Sequence, residues 1–401
     1  MIRNRDIVVV GLQPWDIKIG SNCKNIALEF SKYNRVLYVN PPIDQKTLVN
    51  KRKDPDLIKR LRFKKHREYL FAIAPGFWNL YPERVIHSVN WLPSTWLFRK
   101  FNKWNNKIFS KDILKAIREL SFKDFILFND SDMFRSYHLI EMLRPALSIY
   151  YSRDNLMAHK YWFNHGRFLE PELMRKSDLV VANSEYLANY ARQFNTNSFN
   201  VGQVCDLSVF EPEKNRSTPE DIATVKRPVI GYIGAILNLR LDLELLLELC
   251  ARKKEWSFVF VGKTDEVFQN ATLNTFSNVY FLGLKKETIL PDYLAQFDVA
   301  INPQRINETT IGNYPRKIDE YLAMGKPVVA TKTTTMNLFR DFVYLGETTN
   351  EYIILIEKAL KEDNSVLQKQ RIRFARTHTW ENSVKAIYEA MLKLRPDFEK
   401  E

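Results

Sequence analysis

With 401 residues, the chain is long enough for two domains, and 45% hydrophobic with 13% aromatic residues suffices for ordinary cores. Lys and Arg number 60 against 47 Asp and Glu, and the net charge of +13 points to an anionic partner: nucleotide, nucleic acid or lipid headgroup. Three widely spaced cysteines (Cys23, Cys205, Cys250) exclude a disulfide framework and a zinc site and suit a reducing cytosol, and no apolar run approaches the ~20 residues that span a bilayer.

The N-terminus, MIRNRDIVVVGLQPWD, starts basic and turns apolar. Its apolar stretch is short, ends at Trp15-Asp16 and has no small-residue cleavage site, so it reads as a first strand and the chain is expected not to be secreted. A helix, SNCKNIALEFSKY, and a second strand, RVLYVNPP, follow. FILFN, LSIYYS, DLVVANS and SFNVGQV are further short apolar strands separated by helical stretches, the pattern of a parallel sheet with covering helices. EPEKNRSTPEDIATVKRP is charged, carries proline and lacks a hydrophobic period, and reads as a linker. The alternation then restarts with VIGYIGAI, LDLELLLELCARK, SFVFVG, NVYFLG, LPDYLAQF and DVAINP. The spacing predicts an α/β chain with a Rossmann-like domain over 1–210, a linker over 211–228 and a second Rossmann-like domain over 229–376. A C-terminal helix within 377–401 would pack back on the first domain. Two such sheets facing a cleft would bind ligands beyond the carboxyl ends of their strands.

GNYPRKIDEYLAMGKPVVAT, starting at Gly312, concentrates the chemistry. Pro315 suits the first turn of a helix and Gly325 its left-handed end. Arg316 and Lys317 stand in that first turn, where the helix dipole disfavours cations by roughly 0.3–1 kcal/mol each. An anionic ligand at the helix start turns that cost into binding. Glu320, one turn on, could take two hydroxyl protons of a ribose. The alternative is a solvated helix start with an ordinary Lys/Arg–Glu pair.

NYPRKIDEYLAMGKPVVAT resembles the donor-binding segment of GT-B-fold glycosyltransferases, the "glycosyl transferases group 1" or family 4-like enzymes. Their pattern is approximately P-x-K-x-x-E-Y-x-A-x-G-K-P-V-V, matched by Pro315, Lys317, Glu320, Tyr321, Ala323, Gly325, Lys326, Pro327, Val328 and Val329. RKSDLVVANSEYLANYARQF and GQVCDLSVFEP resemble two further family segments. The resemblance implies a ribose contact for Glu320, a diphosphate facing the helix start, a nucleoside diphosphate-sugar as donor and no cofactor or metal. Two departures stand out. An E-x7-E motif would place its first glutamate at Gly312, with Glu308 displaced from it. In GAILNLRL, Gly234 is kept, but Ala235 stands where the family has Arg and Arg240 where it has Lys. Arg240 is then a donor contact or a plain surface residue.

In the first domain, Asp130-Ser131-Asp132 forms a D-x-D string, either a metal site or a polar strand end whose aspartates cap the next helix; the second is the expectation. Asp130 should border the cleft, and Asp154, in YYSRDNL, is an acceptor contact or a helix cap. Gly20 could let the first loop approach the diphosphate. His87, His138, His159 and His165 are too scattered for a metal set. Residues 46–67 hold ten Lys/Arg and two Asp. Beyond them, STWLFRKFNKWNNKIF puts Leu97, Phe101, Trp104 and Ile108 on one helical face and Lys100, Lys103 and Lys107 on another. That arrangement fits a helix lying on an anionic leaflet or a core-packed helix with a solvated side. The expected function is hexosyl transfer, with retention, to a glycan or lipid-linked acceptor in cell-surface polysaccharide synthesis. It would take place in the cytoplasm, on the inner face of the membrane, with no nucleic acid involved. The rivals are a sugar-nucleotide epimerase and a non-catalytic nucleic-acid-binding protein.

Overall fold

The computed structural model describes residues 1–399 except 18–20, 52, 206, 213, 215 and 313. The chain divides into two compact units: Met1–Gly202 with Trp380–Glu401, and Gln203–Thr379.

The first unit is built on an eight-stranded sheet: β1 (Asp6–Gly11), β2 (Arg35–Val39), β3 (Leu70–Ala74), β4 (Phe77–Leu80), β5 (Ile126–Asp130), β6 (Leu147–Ser152), β7 (Leu179–Ala182) and β8 (Ser198–Asn200). Its order is β3-β4-β2-β1-β5-β6-β7-β8, parallel apart from the β3–β4 pair. The run DIVVVG of β1 is buried throughout, as expected of a central strand covered on both faces. Alternate residues serve opposite faces. Ile7 and Val9 pack with Phe30 and Phe128 on one side, while Val8 and Val10 pack with Phe109 and Ile113 on the other. The helix Trp380–Leu394 belongs to this unit because Val384, Ile387, Tyr388 and Met391 enter the first of those clusters. Each such buried side chain contributes roughly 1.5–3 kcal/mol. Tyr388 also accepts a 2.9 Å hydrogen bond from Asn34.

The second unit repeats the design with β9 (Val229–Ile233), β10 (Ser257–Val261), β11 (Val279–Gly283), β12 (Val299–Asn302), β13 (Val328–Thr331) and β14 (Tyr344–Gly346). All pairs are parallel, in the order β11-β10-β9-β12-β13-β14. Residues 211–228, which lack a hydrophobic period, lie within this unit. Ile222 enters its core, and the Arg216 guanidinium binds the Val209 and Glu211 carbonyls and Asp292.

One buried acid stands out in the first unit. Glu170 lies in the helix Lys160–Lys176, is fully enclosed, and accepts a 2.7 Å hydrogen bond from the Tyr150 hydroxyl. Burial pushes its carboxyl from the ordinary 4.5 up to about 7, against the pull of Tyr150. The folded state therefore keeps a proton that the unfolded chain has lost, so this group lowers stability as pH rises from about 4.5 to 7. The loss is of the order of 3 kcal/mol. Urea unfolding at pH 5 and pH 8 should show a smaller loss at pH 8 for Glu170→Gln than for the wild type. Equal losses in both proteins would mean that Glu170 is ionised in the fold.

Candidate functional site

An open parallel sheet offers a ligand gap at the carboxyl ends of its strands where the strand order reverses. In the second unit that point lies between β9 and β12. The segment after β12 forms a turn, in which the Ile318 N–H donates to the Pro315 carbonyl at 2.9 Å, and then the short helix Lys317–Ala323. Tyr321 fastens that helix to β9: its hydroxyl accepts from the Ile233 N–H at 2.8 Å and donates to the Ile233 carbonyl at 3.1 Å. Lys317 is thereby brought to Gly234, the residue after β9. Its Nζ donates to the Tyr232 hydroxyl at 2.8 Å and sits 4.5 Å from that ring's centroid. A Cβ added to Gly234 would lie 3.1 Å from the same nitrogen. The ammonium is held in place by a neutral phenol.

Pro315, Arg316, Lys317 and Gly234 therefore share one strand end, and the Arg316 side chain is exposed there. The Cys205 thiol donates to Glu320 Oε1 at 3.6 Å. Burial raises the Glu320 pKa, opposed by Lys317 and Arg316 beside it. Arg240 is exposed in the loop after β9, where its carbonyl accepts from the Arg305 N–H at 2.9 Å; this puts it at the same end of the sheet. Gly20 lies outside the described residues.

Three residues of this site carried no signal in the sequence. Asp319 is fully buried; its Oδ1 pairs with His378 Nδ1 at 2.6 Å and its Oδ2 accepts from the Tyr314 hydroxyl at 2.7 Å. Burial raises the Asp319 pKa, and His378 and Tyr314 oppose the rise. The network ties Tyr314, just before Pro315, to the end of the second unit. His378 stands 59 residues from Asp319, beyond the reach of any spacing rule.

In the first unit the order reverses between β1 and β5, where Gly11 pairs in register with Asp130. Asp130 is fully buried, with Oδ1 2.8 Å from Arg153 Nε, and Arg153 Nη1 reaches the more exposed Asp154 at 3.0 Å. Burial raises the Asp130 pKa and Arg153 opposes it. Asp132 turns elsewhere: it accepts from the Arg135 N–H at 3.0 Å and pairs with Arg135 Nε at 2.7 Å. The two carboxylates of the D-x-D string thus face different arginines, and Asp132 is bonded to the turn that follows it. No group of three or more His, Cys, Asp or Glu placed to hold a metal occurs among the described residues.

The long helix Thr95–Glu119 buries Phe98, Asn102, Asn105, Asn106 and Phe109. Leu97, Phe101 (48% exposed) and Trp104 (63%) face outward beside exposed Lys100, Lys103 and Lys107. Trp96, 61% exposed, carries the Lys100 ammonium 3.8 Å from its ring centroid. Among the described residues, no helix is long and apolar enough to cross a membrane.

Residues 227–361 match the family described as Glycosyl transferases group 1, in agreement with the resemblance seen in the sequence. Over 224 residues the chain is 26% identical to a Bacillus subtilis (strain 168) protein provisionally named the teichuronic acid biosynthesis glycosyltransferase TuaH. The alignment takes in 53% of this chain and 56% of that protein, so it spans little more than half of the relative's length. Two solved structures share the fold almost end to end. Sucrose-phosphate synthase from Thermosynechococcus elongatus superposes with a TM-score of 0.63 at 12% identity, covering 98% of this chain and 100% of that one. Anabaena HepE in complex with UDP gives 0.62 at 14% identity, covering 97% and 100%. Both units are thus parallel-sheet α/β domains of the GT-B type.

The strand end that carries Gly234 depends on a second glycine. A Cβ on Gly262, directly after β10, would fall 1.8 Å from the Gly234 carbonyl oxygen, far inside any real contact. Gly262→Ala should therefore push the Gly234 backbone off its position and cost about 3 kcal/mol or more in chemical denaturation. A variant as stable as the wild type would show that the two strand ends separate without cost.

Proposed function

We propose that this chain moves a hexose from a nucleoside diphosphate-sugar to a glycan or lipid-linked acceptor, with retention, in the synthesis of a cell-surface polysaccharide. The observation that carries the reading is the Lys317 ammonium fixed against Gly234 by Tyr232, at the strand-order reversal of the unit that matches the transferase family. Negative charge grows on the diphosphate as the sugar departs. A preset cation, with Arg316 and Arg240 exposed at the same sheet end, lowers the energy of that state more than that of the bound donor. Glu320 accepts the ribose hydroxyls, and Arg316 and Lys317 favour its charged form. The departing diphosphate oxygen takes the acceptor's proton, and exposed Asp154 helps to orient the acceptor, while buried Asp130 holds Arg153 beside it. HepE is described in complex with UDP, which supports a nucleotide as a ligand of this fold. The provisional name of the Bacillus relative supports a cell-wall polysaccharide as product.

The same proposal puts the chain on the inner face of a cell membrane. Lys or Arg near an anionic surface contributes about 1 kcal/mol each, and exposed aromatic side chains add apolar burial that salt does not screen. Binding to vesicles of anionic lipid should fall with salt without vanishing, and Trp104→Ala should lower the salt-resistant part. Indifference to such vesicles at low salt would favour a soluble acceptor.

A thermal-shift panel of nucleoside diphosphates and their sugars tests the donor assignment, since a ligand of the folded state raises the melting temperature. In calorimetry, Glu320→Ala should weaken the nucleoside diphosphate that binds by about 1–3 kcal/mol, the worth of a hydrogen bond to a charged group. Unchanged affinity would remove Glu320 from the ribose.

A further inference from the structure

We propose that the first unit holds a separate binding site for an anionic sugar carrying a hydrocarbon tail, and that this ligand is the acceptor. Its role as acceptor rests on the transferase reading; its existence does not.

The site is a cavity of about 750 Å3 formed wholly within the first unit. That is room for a drug-sized or disaccharide-sized ligand. Its aromatic walls come from Trp91, Phe98, Phe134, Tyr161 and Trp162, with Trp162 stacked on Phe134 at 5.2 Å between centroids. Flat apolar faces beside polar groups are what a sugar ring, with one apolar face and a polar rim, packs against.

The charges decide the ligand's sign. Lys46, Lys51, Arg135 and Lys160 line the cavity with two carboxylates, Asp44 and Asp132. Both carboxylates are already engaged. Asp44 accepts from the Thr47 N–H at 3.0 Å, the Thr47 hydroxyl at 2.9 Å and the Ser88 hydroxyl at 2.6 Å. Asp132 holds Arg135. Among the described residues, the Lys46, Lys51 and Lys160 ammonium groups have no ion-pair partner, so the cavity presents uncancelled positive charge. Asn90 is also in the lining and donates to the Tyr161 carbonyl at 2.9 Å.

The lip decides the tail. Trp91 lines the cavity and is also 75% exposed. Phe98, Asn102 and Asn105 form part of the wall from the long helix, and Leu97, Phe101 and Trp104 each precede one of these along the chain. One residue is about 100° of rotation on a helix, so this exposed apolar stripe flanks the wall residues along the same helix. A ligand seated by its sugar and its charge has a hydrocarbon exit along this stripe. The charge could be a carboxylate on the sugar or a phosphate joining sugar to lipid; the shared chemistry is an anion next to an alkyl chain.

Calorimetry with four probes below their micelle concentrations tests this: octyl β-D-glucuronide, octyl phosphate, octyl β-D-glucoside and free glucuronic acid. At least one charged octyl probe should bind about tenfold or more tighter than octyl glucoside, as expected for hydrogen bonds to a charged group. Preference for the glucuronide or for the phosphate identifies the source of the charge. Free glucuronic acid should bind more weakly than its octyl form, and Trp91→Ala should shrink that difference. The double variant Lys46→Ala, Lys160→Ala should lose the preference for charge while keeping the nucleoside diphosphate affinity of the second unit. Equal binding of charged and neutral octyl probes, or a charge preference that survives the double variant, overturns the proposal and leaves the donor assignment standing. Charged-probe binding in a protein that takes no nucleoside diphosphate overturns the transferase reading and leaves the cavity's ligand class in place.

Discussion

The Tyr321 hydroxyl, bonded to both the N–H and the carbonyl of Ile233, is the contact on which the arrangement at the end of β9 depends. A strand that runs past its neighbour leaves backbone groups that must find partners once buried. A phenol can accept and donate at once, so a single side chain closes both valences at the end of β9. Doing so fixes the short helix at the strand's tip. Lys317, one turn earlier, then falls against Gly234, where no side chain blocks it. The Asp319 carboxylate secures the other side of the same turn by holding Tyr314 and His378. The Lys317 ammonium is thus held by the surrounding structure, which is the condition for electrostatic stabilisation without reorganisation.

Charge is partitioned by chemistry across the first unit. Its buried carboxylates are matched by arginines: Asp6 with Arg35 through two 2.7 Å hydrogen bonds, Asp112 with Arg84, Asp130 with Arg153 and Asp132 with Arg135. A planar guanidinium meets a carboxylate with fixed geometry and weak hydration, so it suits buried pairs. Glu170 has no such partner, and its carboxyl is raised to about 7 as a result. Lysines carry much of the surplus, on the long helix and around the large cavity, where a hydrated point charge can reach a ligand. These lysines leave positive charge where an anion can reach it.

Strands β1, β2, β9, β10 and β12 were legible because each is a short apolar run covered on both faces, and Trp380–Leu394 because its apolar residues recur at helical spacing. Pro315 to Glu320 could be read as one site because they are neighbours in the chain. The contacts that give those residues their setting were not legible. Tyr232 and Lys317 are 85 residues apart, and Asp319 and His378 are 59 apart. The sequence EPELMRK gives no hint that Glu170 turns inward, since the Tyr150 hydroxyl that receives it comes from a strand 20 residues earlier. The D-x-D string presents two identical side chains, and their different surroundings are set by Arg153 and Arg135. Residues 211–228 hid their place in a core because one buried Ile222 makes no period.

The long helix inverts the usual order. Asn102, Asn105 and Asn106 are buried, while Trp96, Leu97, Phe101 and Trp104 face solvent. The amides point inward for a reason: the loops beneath the helix offer unpaired backbone groups. Asn105 closes both the N–H and the carbonyl of His87, Asn102 and Asn106 both donate to the Phe134 carbonyl, and Asn106 also accepts from the His138 N–H. Leaving those groups unmet would cost about 1–3 kcal/mol each, so the inner face requires amides. Nothing of the kind requires aromatic side chains outside. Lys, Glu or Gln there would form helix at least as well as Trp or Phe. The outer face is thus unexplained by folding, and it is the feature on which the proposed contact with an anionic membrane surface or ligand rests.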